Sequence, residues 1–232
     1  MSVLPILTAA IAPGAALLCY FYLKDRYQPE PVSLVLRMFF FGVLLVFPIM
    51  VLQRALVLGL GLGEGSFLFS FLASSLPEEF FKWFLVYFII YKHTSFDEPY
   101  DGIVYSVAVS LGFATLENVF YAFLHGSDFS FLMWRAFLPV SGHAMFGVIM
   151  GYHFGKAKFT AGGERKHLLY ALLLPFFWHG TFDYILAVTK TYWIWFMVPL
   201  MVFLWVRSLL KVNRANAKSP LRMVTREEQV KI

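Results

Sequence analysis

Residues 39–47 read Phe39-Phe40-Phe41-Gly42-Val43-Leu44-Leu45-Val46-Phe47. No polar side chain interrupts them, and nothing alternates at period two. A strand of a membrane β-barrel alternates apolar and polar residues, because every second side chain faces the lumen. A spanning helix needs about 20 predominantly apolar residues and satisfies its backbone N–H and C=O groups internally. The apolar run around this stretch extends over 34–58 and meets that requirement as a helix.

Similar runs occur on either side, at 2–23, 66–91, 102–124, 130–155, 167–188 and 191–210, giving about seven spans. Of the 232 residues 59% are hydrophobic and 14% charged, too little polarity for the surface of a soluble domain. The expected fold is an all-α, polytopic transmembrane bundle over 1–210 with a basic tail at 211–232. The single cysteine, Cys19, excludes an internal disulfide and a Cys-rich metal site, and reads as a small apolar helix residue. Leu18 before it is not the small residue of a lipoprotein signal, so the first helix is expected to remain in place.

The formal charge of +5 does not indicate nucleic acid, because most basic residues fall in loops and the tail. Alternate loops hold Lys24 and Arg26, then Lys92, then Lys156, Lys158, Arg165 and Lys166. The last helix and the tail add Arg207, Lys211, Arg214, Lys218, Arg222, Arg226 and Lys231, while the opposite side has only Lys190. Fourteen against one predicts an outside N-terminus and an inside C-terminus. Arg37 and Arg54 read as snorkelling or span-end residues.

The third span carries a second signal. Ser75-Leu76-Pro77-Glu78 has the pattern of a helix start, with Ser75 as cap and Glu78 reaching back. The third span is thus either broken near Pro77, with 66–75 re-entrant or separately helical, or continuous through it.

Glu78, Glu79, Lys82, Glu117, Arg135 and Asp183 fall inside predicted spans. Unpaired, they would cost on the order of 15–20 kcal/mol at the bilayer centre, so something must compensate. Helical spacing groups Glu78 with Lys82, Phe113 with Glu117, and His179 with Asp183, each four apart. His143, Gly147, Gly151 and Gly155 form one stripe, whose glycines admit a close neighbour helix. From the helical rise, Glu78, His143 and His179 each lie roughly 18–20 Å from one end of their spans. Several helices thus deliver carboxylates and imidazoles to one layer.

Such a set suits zinc, which takes imidazole and carboxylate ligands and activates a water in its open position. A glutamate in an apolar cavity could instead deprotonate water without metal. The chain has no HExxH motif. Ser141 and His143 are two apart, which points them away from each other on a helix. A non-enzymatic transporter or channel is the alternative, since a polar pathway also uses intramembrane Glu, His and Asp. A rhodopsin is excluded, because the span 191–210 contains no lysine.

Glu78-Glu79-Phe80-Phe81-Lys82 has the form EExxK, Phe113 to Glu117 the form FxxxE, and His179 to Asp183 the form HxxxD. In this order they resemble the PrsW membrane proteases, distant relatives of the CAAX prenyl proteases. The likeness continues in Ile11-Ala12-Pro13-Gly14, Asp101-Gly102-Ile103-Val104-Tyr105, Ser110 through Asn118, and Leu138-Pro139-Val140-Ser141. It implies an all-helical protease of the bacterial cytoplasmic membrane. Such an enzyme cuts a membrane-anchored, single-pass anti-sigma factor near the outer surface, so that a second protease can release the sigma factor. By the same resemblance Glu78, Glu79 and His179 are the catalytic candidates. Lys82, Glu117, Asn118, Arg135 and Asp183 are supporting or substrate-site candidates, and His143, His179, Glu117 and Asp183 the candidate zinc ligands.

Overall fold

The computed structural model of the chain describes residues 3–63, 65–124, 129–189 and 191–222. Among them there is no strand. The elements are α1 (Val3–Leu23), α2 (Val32–Leu60), α3 (Leu76–Leu85), α4 (Asp101–Leu124), α5 (Phe129–Arg135), α6 (Ser141–Phe159), α7 (Glu164–Thr189) and α8 (Trp193–Asn216). Three π-helical segments, Phe69–Ser75, Val86–Ile90 and Ala136–Val140, adjoin α3 on both sides and join α5 to α6. Among the described residues six helices are long and apolar enough to cross a membrane, the run Ser130–Phe159 counting as one. The seventh expected span is the helical run from Phe69 to Ile90, which is subdivided and carries Glu78, Glu79 and Lys82. Lys190, Arg226 and Lys231 lie outside the described residues. Helix α8 runs to Asn216, so the helical part extends six residues beyond the expected boundary at 210.

The third span runs through Pro77 without a break. Ser75 has helical dihedrals (φ −68°, ψ −35°) and makes no capping hydrogen bond. Its hydroxyl donates back to the Phe71 carbonyl at 3.2 Å. A proline in a helix lacks an N–H and crowds the carbonyl four residues earlier. Here the turn before Pro77 widens, and the Leu76 N–H reaches the Phe71 carbonyl, five residues back. The polypeptide therefore passes the proline without leaving the helix. Pro139 lies within another widened turn, just before His143.

Helix α4 is the hub, packed against α1, α2 and α6. Every residue from Asp101 to Thr115 is buried, as expected for a helix surrounded by protein on all faces. Close approach requires glycine at particular points. A Cβ on Gly151 of α6 would collide with the Gly102 carbonyl of α4, and one on Gly112 of α4 with the Phe39 carbonyl of α2. The Gly147–Gly151–Gly155 stripe thus packs α6 onto α4, as its spacing predicts, and so orients His143 inward. Phe40, Phe47, Val51, Phe137 and Trp195 are exposed on the outside, where lipid would cover them.

The loops predicted to share one side do meet at one end of the bundle. Asn216 donates to the Lys24 carbonyl (3.2 Å), and Lys158 donates to the His93 carbonyl (3.3 Å). Tyr91 donates to Glu164 at 2.8 Å, closing the same end.

Candidate active site

The α3 turn supplies the centre. Glu78, Glu79 and Lys82 are all buried, with Lys82 fully so. The Lys82 ammonium donates to Glu79 Oε1 at 2.8 Å and to Glu78 Oε2 at 3.3 Å. It also lies 3.2 Å from His143 Nδ1 and 4.4 Å from the centre of the Phe113 ring. The phenylalanine of FxxxE therefore touches the lysine of EExxK through a cation–π contact. An ammonium has only donors, so His143 Nδ1 must accept and be unprotonated. The ring proton then sits on Nε2, which faces Glu117 Oε2 at 3.3 Å.

His179 of α7 completes the group. Its Nδ1 lies 2.9 Å from Glu79 Oε1, while Nε2 lies 3.5 Å from Asp183 and 3.9 Å from Glu78. Phe146 stacks on the His179 ring at 4.9 Å and fixes its plane. Asp183 accepts from Ser74 at 2.6 Å, and Glu78 accepts from Gln53 at 3.1 Å. Arg135 lies 3.5 Å from Glu117, donates to Asn118 at 2.8 Å and covers the Tyr121 ring at 3.8 Å. It therefore balances the carboxylate cluster instead of snorkelling. Asn118 donates in turn to the Ala10 carbonyl of α1 at 2.8 Å.

All of the predicted site residues thus belong to one connected network. Gln53, Ser74 and Phe146 were not among them. Gln53 is a lone amide in an apolar span, and that polarity was the available signal. Ser74 sits one helical turn before Glu78, and nothing in the spacing marked it. Phe146 is one aromatic among many.

A cavity of about 430 Å³ opens onto the network. Glu78, His143, His179, Glu117, Asp183 and Arg135 line it, whereas Glu79 does not. One donor atom from each of Glu78, Glu79, His143 and His179 falls within 4.8 Å of the others. Glu117 and Asp183, expected as ligands, instead sit outside that group and touch the imidazoles at Nε2.

The residues 30–207 match the family described as PrsW family intramembrane metalloprotease. This chain belongs to the PrsW family. It is 53% identical to Protease PrsW of Geobacillus kaustophilus, over 91% of this chain and 92% of that protein. Against Protease PrsW of Bacillus subtilis the identity is 51%, over 94% of this chain and 99% of the relative. With Protease PrsW of Clostridioides difficile it is 32%, over 82% and 83% of the two. No solved structure matches. The chain is therefore a multi-pass bacterial membrane peptidase, which sets aside the transporter or channel alternative. The metal implied by the PrsW description finds suitable donors: two imidazoles, two carboxylates, and a buried Glu79 Oε2 with no hydrogen-bond partner. Lys82 is its competitor, since its ammonium already occupies the lone pair of His143 Nδ1.

Proposed function

We propose that this PrsW protein hydrolyses a peptide bond in a single-pass, membrane-anchored anti-sigma factor, with Glu78 as general base. The supporting observation is the division between the two glutamates: Glu78 faces the cavity between His143 and His179, while Glu79 is sealed behind them. Glu78 takes a proton from water as the oxygen attacks the scissile carbonyl carbon. Returned to the amide nitrogen, that proton lets the C–N bond break into an acid and an amine. Glu79 accepts from both Lys82 and His179 Nδ1, and so turns His179 Nε2 toward the cavity. His143 presents its Nε2–H on the same side, held by Glu117. With Nδ1–H given to Glu79, His179 donates from Nε2 to the developing oxyanion as an imidazolium, the form that its carboxylate neighbours Glu78, Glu79 and Asp183 favour. Zinc, which Glu79, His143 and His179 would hold, would when bound polarise the carbonyl and acidify water, leaving Glu78 as the base. The cavity-lining residues Gln53, Tyr121, Arg135 and Leu186 lie in the halves of their helices that the charge count assigns to the outside. That location supports cleavage near the outer surface.

The test is cleavage of an anti-sigma factor by purified protein in liposomes, with metal content measured alongside. A zinc enzyme is expected to carry about one zinc per chain, lose activity to a strong chelator and regain it with added metal. Full activity at negligible metal content would leave the glutamate-activated water as the mechanism. No cleavage of any single-pass substrate would end the proposal.

We also propose the outside N-terminus and inside C-terminus. Reporter fusions at residues 126 and 162 are expected to report opposite sides, with 162 inside. Activity of both on the same side would refute the span count.

A further inference from the structure

A second group of carboxylates lies at the other end of α4. Asp25 and Glu30 come from the α1–α2 connection, Glu98 from the connection before α4, and Asp101 is the first residue of α4. Asp101 and Glu117 are sixteen residues apart on the same helix, which places this group about 24 Å from the catalytic layer. One oxygen from each of Asp25, Glu30 and Asp101 falls within 4.8 Å of the others.

The unused acceptors are what make the cluster unusual. Glu98 and Asp101 are fully buried, and Glu30 nearly so. Asp101 Oδ2 accepts the backbone N–H groups of Asp97 (2.8 Å) and Glu98 (2.6 Å). Its Oδ1 is buried without an N–H or O–H donor, and the Asp101 carboxyl lies close enough to that of Glu30 for the two to share a proton. Asp25 Oδ2 is also buried without a donor, and the fully buried Glu98 carboxylate has only the Ser219 hydroxyl nearby. Tyr105 donates to Glu30 Oε2 and Tyr22 to the Glu30 carbonyl, so that residue is held in place. Among the described residues no Lys, Arg or His lies within 4.0 Å of these four carboxylates. Lys158, at this end of the bundle, is turned to the His93 carbonyl and the Phe96 ring.

Buried carboxylates this close together cannot all ionise without a counter-charge. Either protons or a cation must supply the compensation. The donor set contains oxygen only, with no imidazole or thiolate, which selects hard divalent ions over zinc. Metal–oxygen distances of about 2.0–2.6 Å place ligand oxygens on opposite sides of an ion roughly 4–5 Å apart, which the observed grouping satisfies.

We propose that Asp25, Glu30 and Asp101, backed by Glu98, bind a hard divalent cation of the Mg²⁺, Mn²⁺ or Ca²⁺ class. The ion joins the α1–α2 connection to the N-terminus of the central helix. It is separate from the catalytic group and takes no part in hydrolysis.

Mn²⁺ binding to the full-length protein in detergent, stripped of metal and held at pH 8, tests this by electron paramagnetic resonance. About one Mn²⁺ per chain is expected, displaced by excess Mg²⁺ or Ca²⁺. The same binding is expected in a Glu78→Gln/His179→Ala protein, which removes the catalytic group as its source. Asp101→Asn keeps an acceptor for the two backbone N–H groups and is expected to weaken Mn²⁺ at least about tenfold, as is Glu30→Gln. Mn²⁺ should raise the melting temperature of the wild type but not of Asp101→Asn. Should Asp101→Asn fail to fold, the half-exposed Asp25→Asn provides the same comparison. Absence of bound Mn²⁺ in the wild type, or binding unchanged in both Asp25→Asn and Glu30→Gln, overturns the site and leaves a cluster held by shared protons.

Discussion

Glu78→Gln is expected to lower the cleavage rate by about 10²–10⁴-fold while the protein stays folded, because the substitution removes a proton acceptor and little else. Glutamine has the shape of glutamate and leaves no cavity. Its one oxygen can still accept from Gln53 or from Lys82, which now bond different oxygens of Glu78, so the change also costs one of these two hydrogen bonds. Substrate binding should change little, so the loss belongs in kcat and not in KM. Glu79→Gln acts differently. It weakens the hold on both Lys82 and His179 without touching the cavity wall, and a large loss there would report positioning. Wild-type rates in both variants would exclude the mechanism and make the cluster a structural network.

Lys82→Met is expected to destabilise the protein by roughly 3–5 kcal/mol, the usual cost of removing one partner from a buried ion pair. Lys82 is fully buried and neutralises two carboxylates, and among the described residues no other lysine or arginine lies within 4.0 Å of either. Activity should fall but persist in the folded fraction, because Lys82 does not line the cavity. The double variant Lys82→Met/Glu79→Gln should recover part of the stability, since it deletes one of the stranded charges as well. Chemical or thermal unfolding in detergent reads both effects. Complete loss of cleavage in a folded, membrane-inserted Lys82→Met protein would instead give the lysine a chemical role.

Much of this was legible in the residues. Long apolar runs give the helices, and the spacing of four gives the Phe113–Glu117 and His179–Asp183 faces and the α6 glycine stripe. Those patterns are local, and local periodicity survives into the fold. Whether the span breaks near Pro77 was not legible, because a capping pattern and a widened helical turn can share the same residues. Only the path of the preceding backbone separates them. The geometry also gathers a different ligand-capable group, with Glu78 and Glu79 beside the two histidines in place of Glu117 and Asp183. Charge and depth place Glu117 and Asp183 in the right layer, but which side of each imidazole they meet depends on ring orientation. Packing against Phe146 and Phe113 sets that orientation, and it has no sequence period. Gln53 was overlooked because its role depends on α2 lying against α3, a tertiary contact.

The pairing of charges also bears on how the chain enters the bilayer. Glu78, Glu79 and Lys82 lie within five consecutive residues, so the segment reaches the translocon with one positive charge already set against its two negative ones. Glu117 has no such local help. Its arginine partner is eighteen residues further along, on the next helix. A lone carboxylate at membrane depth is costly until it is matched. That match forms only when α4 and α5 lie side by side, so for this charge the two helices are one unit of assembly. Arg135 thus ties two spans together electrostatically as well as forming a wall of the finished cavity.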